Sequence, residues 1–332
     1  MRPWPLASLA ALLTVLACSG ADRTILWQAP GTITVRDWIW GAGGEARAPK
    51  PPYEFVDEDF NGTNPKIRVR DAKGDRWIVK FGGENHGDVF ASRLLYALGY
   101  LTTPSYYVAG GTISGVHNLK RAKAFVVRDG SFRFARFKLH DHRMLAPADG
   151  EEWSWNANPF VGTPQLNGLK ILMMLTSNWD AKDSRDGKGS NTSVYAGSKS
   201  NAGQRFYAFD DWGATMGKWG GFFGRDKWDP DGYEAQTKTF ARLASGGRIE
   251  WGYRGKHGED ITSGISVADV RWLMTHLSHV TDEELRAGLR ASGATEAQIG
   301  TYTRAIQERI AQLRHLTDST APTAVTAEQR RD

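Results

Sequence analysis

The 332 residues are 40% hydrophobic, enough to build the core of a two-lobed domain or of two small ones, and this excludes a chain disordered over most of its length. A formal charge of +5 without a dense Lys/Arg block excludes a nucleic-acid-binding surface as the expected role and remains compatible with an anionic ligand or a membrane surface. The single cysteine excludes an intrachain disulfide, so stability has to come from packing.

Residues 1–21 read as an export signal, with Arg2 as the positive end, an apolar run from Leu6 to Leu16 too short to span a bilayer, and small residues after it. Cys18 follows Val15-Leu16-Ala17 as at a lipoprotein processing site, and Ser19-Gly20-Ala21 offers a competing ordinary cleavage site. The expected location is periplasmic, outer-membrane-anchored through Cys18, or secreted, with the lipid anchor as the membrane contact. Residues 22–52, rich in Trp, Gly and Pro, read as an extended linker or a strap laid across the domain, of no legible function.

Residues 53–140 are expected to be rich in β-structure. Lys66 to Arg70 alternates like a strand, Asp71 to Asp75 is a hairpin connection, and Arg76 to Phe81 is the returning strand, so Lys80 stands at a strand end. A helix is expected from Asp88 to Leu98, with Asp88 in its first turn and Glu84 just before it. Further strands are expected at 105–108, 124–127 and 132–138, with Arg133, Arg136 and Lys138 on a solvated face. His140 and His142 flank Asp141 as a conceivable metal pair, but the sequence names no further converging ligands.

Residues 141–316 are expected to be mainly helical. An apolar helix from Leu169 to Leu175 breaks at Thr176-Ser177-Asn178 and delivers Asp180-Ala181-Lys182, then a polar loop to Asn191. Two short strands follow, the second ending in Asp210-Asp211-Trp212-Gly213. Strand alternation turns one of the two acids inward, and Asp211 is the one favoured. Ser266, Thr281-x-x-Glu284 and Thr295-x-x-Gln298 mark helix starts, and 317–332 is expected to be a disordered tail.

The order Asp-x-Lys, Asn, Asp-Trp-Gly resembles the kinase superfamily, over scattered motifs between residues 55 and 220. The turn from Asp211 to Gly217 is most similar to that of atypical members, among them phosphoinositide-kinase-like, HipA-like and secretory-pathway kinases, as in secreted bacterial proteins of that broad type. The resemblance implies an α+β, two-lobed kinase-like fold with a small antiparallel β-rich N-lobe and a larger, mainly helical C-lobe. It implies Mg-dependent phosphoryl or nucleotidyl transfer from ATP or another nucleotide to an acceptor that is a protein, a lipid or a small molecule.

In this resemblance Asp180 orients the acceptor, Lys182 neutralises the γ-phosphate and Lys80 grips the α/β-phosphates under a loop at 60–65. Asn191 and Asp211 hold the metal, although the loop before Asn191 is longer than in ordinary kinases. Either Glu84 or Asp88 pairs with Lys80, and spacing alone does not choose between them. Two rival readings are a catalytically inactive kinase-like envelope binding protein and a carbohydrate-binding envelope protein. The second requires an exposed coplanar row of tryptophans.

Overall fold

The computed structural model describes residues 23–31, 36–62, 64–140, 145–147, 151–187, 189–197, 203–220 and 224–319. The expected export signal with Cys18, the Asp141 and His142 positions, and residues 320–332 of the expected tail lie outside the described residues.

Five strands close into a small barrel in the order β2-β3-β4-β6-β5: β2 (Tyr53–Asp59), β3 (Lys66–Arg70), β4 (Arg76–Phe81), β5 (Ser105–Ser114) and β6 (Ser131–Leu139). Alternation explains the barrel, since Ile67, Val69, Trp77, Val79 and Phe137 all point inward and are fully buried. The hairpin between β3 and β4 turns as expected: the Asp71 carboxylate accepts from the Lys73 and Asp75 amides, and Gly74 supplies a φ of 80°. The strand expected at 124–127 is instead a 3-10 turn, Ala122–Ala124, followed by a single bridge between Val126 and Phe132. The Glu58 carboxylate accepts the amides of Lys120, Arg121 and Ala122 and so fixes that turn.

Helix α1 (Glu84–Ala97) starts four residues before the expected Asp88, which puts Glu84 itself in the first turn. It packs its buried Phe90, Leu94 and Leu95 with the helical lobe. That lobe holds α2 (Pro164–Leu175), which begins at the Thr163 cap, and then α3 (Pro230–Thr237), α4 (Gly258–Thr262), α5 (Val267–Leu277), α6 (Asp282–Ala291) and α7 (Glu296–Asp318). Capping boxes start α5, α6 and α7 at Ser266, Thr281 and Thr295, each pairing side chain and backbone reciprocally. The last helix runs through Asp318, past the Thr317 at which the sequence suggests the tail begins.

A four-stranded sheet, β1-β9-β8-β7, sits in the helical lobe: β1 (Arg23–Ile25), β7 (Leu145–Pro147), β8 (Thr192–Gly197) and β9 (Gln204–Phe209). The strap therefore opens as a strand, parallel to β9. A two-stranded ribbon, β10 (Ala241–Leu243) with β11 (Ile249–Trp251), completes the lobe. The result is a two-lobed α+β arrangement, with a β-rich lobe standing on a helical one. The tryptophans serve the interior: none among the described residues is exposed, and the exposed row required by the carbohydrate reading is not among them.

Candidate active site

Lys80 is the hinge of the site. Its side chain leaves the end of β4 and its Nζ lies 2.7 Å from Glu84 Oε1 and 3.3 Å from Asp211 Oδ2. One cation thus ties the barrel to the first turn of α1 and to the turn after β9. Glu84 is a meeting point in its own right, for its Oε2 also accepts from Asn64 Nδ2 at 2.6 Å and lies 2.7 Å from Lys227 Nζ. The loop at 60–65 therefore reaches the site through Asn64.

The electrostatics follow from this geometry. Burial alone would raise the Glu84 carboxyl, but Lys80 and then Lys227 override it and hold it below its ordinary value. Burial would likewise raise Asp211, yet Lys80, Arg136 and the Gly213 amide keep it well below the usual carboxylate range. Burial pulls Lys80 down, and Asp211 with Glu84 more than restores it, so the ammonium form is favoured. Space at Gly213 is tight: a Cβ there would lie 3.0 Å from Asp211 Oδ1 and 3.1 Å from the Glu84 carboxyl carbon, so any side chain would press on both acids.

Of the two acids left open by spacing, Glu84 pairs with Lys80. Asp88 is buried one turn further along α1 and forms its ion pair with Arg136. This corrects the placement of Arg136 on a solvated face: it is buried, and only Arg133 of the pair is exposed. Burial raises the Asp88 carboxyl, with Arg136 opposing.

A cavity of about 530 Å³ opens between the lobes. Lys80, Ile78 and Leu139 line it from the barrel, and Asn191, Asp210 and Asp211 line it from the helical lobe. Both adjacent acids face it, so the expectation of a single inward acid is too narrow. Asp210 Oδ2 accepts from the Tyr195 hydroxyl at 2.7 Å, and Lys138 Nζ lies 3.8 Å from Oδ1. Tyr195 is on β8, where no motif marks it. Residues Ile25 to Gln28 also line the cavity, which gives the strap a place in the site.

Asn191 reaches the cavity despite the long loop before it, because its Nδ2 donates to the Asp180 carbonyl at 2.7 Å. That bond commits the amino end of the amide and leaves its oxygen for a cation. Asp180 and Lys182 form an ion pair with each other, 2.9 Å from Oδ2 to Nζ, and stand outside the lining of this cavity. A second cavity of about 470 Å³ lies beside Glu84 and is walled by Asn64, Trp179, Arg225 and Lys227, so it adjoins the start of the Asp180 loop. The Arg225 guanidinium lies 4.1 Å from the Trp179 ring centre. No sequence motif marks Arg225 or Lys227, and Asn64 is marked only as part of the 60–65 loop; their roles arise from contacts across the fold.

Asp183, Asp186 and His257 also converge closely enough to hold a cation. The two acids already have partners, Arg185 and Lys256 as cations on Asp183 and Asp186 and the His257 ring nitrogen 2.7 Å from Asp186, so the cluster works as a network pinning the loop.

No family model and no curated protein matches the sequence. Among solved structures, the chain is similar to the crystal structure of the Golgi casein kinase with Mn/ADP bound, at 10% sequence identity and a TM-score of 0.42, covering 82% of this chain and 74% of that one. It is similar to a second crystal structure of the Golgi casein kinase at the same identity and TM-score, covering 83% and 74%. Within this chain, Lys80, Asn191 and Asp211 line one cavity between the two lobes, and Glu84 holds Lys80 from the first turn of α1.

Proposed function

We propose that this chain binds a nucleotide with a divalent cation between its lobes and transfers a phosphoryl group to an acceptor. The observation that carries the reading is Lys80, held between Glu84 and Asp211 on the wall of an interlobe cavity large enough for a nucleotide. Phosphoryl transfer needs positioning and charge balance more than covalent chemistry, and a fixed ammonium beside lowered-pKa carboxylates supplies both.

The donor set fits a hard cation. Asp211 stays ionised, Asp210 lies beside it, and Asn191 offers an amide oxygen, which is the all-oxygen chemistry that Mg²⁺ or Mn²⁺ takes. Such an ion would neutralise phosphate charge. Lys80 would grip the phosphates, and the apolar wall of Ile78, Leu139 and Leu26 would hold the base. The acceptor would enter by the second cavity, where Asp180 follows Trp179, and Lys182 would balance the charge of the group in transit. An export signal at 1–21, with lipid attachment at Cys18 or ordinary cleavage after it, belongs to the same reading and would put the reaction outside the inner membrane.

The Asp180–Lys182 pairing favours one alternative, a nucleotide-binding protein that does not turn over. Calorimetric titration with ATP and Mg²⁺ or Mn²⁺, followed by measurement of γ-phosphate transfer or release, separates the two. Binding with turnover supports the enzyme, binding alone supports the alternative, and no binding overturns both.

A further inference from the structure

The turn and strand end from Lys120 to Phe134 carry chemistry that the cleft does not use. This stretch holds Lys120, Arg121, Lys123, Arg128 and Arg133 against one acid, Asp129, a surplus of four in a chain whose total is +5. Lys120, Lys123, Arg128 and Arg133 are exposed. Among them stand Phe125, Val127 and Phe134, exposed by 37%, 54% and 53%, and Phe60 joins them at 55%. These four are the majority of the large exposed hydrophobic side chains among the described residues.

The exposure is imposed by the backbone. Val126 is buried and bridges to Phe132, and the Val127 amide donates to the Ser131 carbonyl, so the flanking Phe125 and Val127 are turned outward. Phe134 has a φ of 56°, an uncommon conformation for a bulky residue, and Asn85 Nδ2 holds its carbonyl at 2.8 Å. That break in β6 lets Phe134 face solvent beside exposed Arg133. Lys120 Nζ lies 5.9 Å from the Phe60 ring centre, and Arg121 donates to the carbonyls of Phe60 and Gly62, so the 60–65 loop and the basic turn form one surface.

Soluble surfaces rarely collect large apolar side chains without a use for them. Cations around projecting phenylalanines match a boundary where anionic headgroups meet acyl chains. We propose that this face docks on an anionic phospholipid surface. An acidic protein would satisfy the cations but give the projecting rings no apolar layer to enter. The inference requires neither lipidation at Cys18 nor phosphoryl transfer. It does bear on the site, because the Phe125 ring stacks at 5.7 Å on Phe81, which lines the second cavity. Docking would bring that mouth close to the headgroups.

The test uses the full chain carrying Cys18→Ser, so that no acyl group is attached, sedimented with phosphatidylcholine vesicles made with or without phosphatidylglycerol. Binding is expected only with phosphatidylglycerol and should weaken with salt. It should fall on the order of fivefold for each cation removed in Lys123→Gln/Arg128→Gln/Arg133→Gln. Phe125→Ser/Val127→Ser/Phe134→Ser should also release the protein. Equal binding to both vesicles, or binding that the cation variant leaves unmoved, overturns the proposal. So does binding to polyglutamate with none to vesicles, which would identify an acidic protein partner instead. Should the aromatic variant fail to fold by circular dichroism, the cation variant decides alone.

Discussion

Glu84 Oε1 stands 2.7 Å from Lys80 Nζ, while Asp88, one turn along the same helix, is paired with Arg136. Two acids four residues apart on α1 therefore have different duties, and their substitutions should separate. Glu84→Gln should weaken nucleotide binding on the order of tenfold, or ~1.4 kcal/mol, by releasing Lys80. Asp88→Asn should leave Arg136 buried and unpaired and destabilise the fold by ~3–5 kcal/mol in urea unfolding. Reversal of the two effects would contradict the assignment.

Asp180 lies off the cavity that holds Lys80 and Asp211 and adjoins the second one. Asp180→Asn should leave the nucleotide Kd within a factor of about two and lower turnover by roughly 10²–10⁴-fold, the range for losing a positioned acid–base group. Calorimetry and single-turnover transfer check the two halves. A large change in Kd with unchanged turnover would move Asp180 into the nucleotide site.

The loop between Lys182 and Asn191 has a pH-dependent anchor. Asp186 is lowered from 3.8 to about 2: burial would raise it, and Lys256 at 2.5 Å and His257 at 2.7 Å outweigh that. A folded pKa below the unfolded value stabilises above the ordinary carboxylate range, and this contribution is lost as pH falls from 3.8 towards about 2. Glu84 and Asp211 are also lowered and act with the same sign. Asp186→Asn should therefore lower the Tm at pH 6, and its deficit should shrink as pH approaches 2. A deficit that stays constant would contradict the coupling.

Arg309 on α7 is fully buried with no carboxylate partner among the described residues. It donates to the carbonyls of Leu175 and Tyr233 and to the hydroxyls of Ser177 and Thr237, and it stacks 3.7 Å from the Tyr233 ring centre. Burial lowers its pKa to about 10. The carbonyls at the end of α2 carry the negative end of the helix dipole, which suits a cation there. Arg309→Met should cost at least ~3 kcal/mol in urea unfolding by stranding several acceptors. Arg309→Lys should recover only part, because an ammonium lacks the planar fork.

The local elements were legible where one period governs them. Alternation located β3, β4 and β6, and the boxes at Thr281 and Thr295 located α6 and α7. The stretch at 124–127 misled because its apolar residues follow strand chemistry while Glu58, more than sixty residues earlier in the chain, captures the preceding amides and winds them into a turn. Lys80 is marked by its strand end and Asn191 and Asp211 by their order, the long loop before Asn191 leaving its reach open, and all three line the one cavity. The choice of Glu84 over Asp88 is not marked, since it depends on where Arg136 of β6 passes α1. Tyr195 and Lys227 enter through tertiary contacts that leave no trace in spacing, Asp210 and Asn64 are marked only as a neighbour of Asp211 and as part of the 60–65 loop, and the strap at 25–28 enters by pairing with a strand far along the chain.

The central claim is that Asp211 and Lys80 serve one nucleotide. Calorimetric titration of wild type and Asp211→Asn with ATP, in Mg²⁺ and in chelator, tests it most directly. The account predicts metal-dependent binding by wild type that the variant loses by at least about tenfold, with its Tm in the absence of nucleotide within a few degrees of wild type. Equal ATP binding by both proteins, or no binding by either, would contradict it.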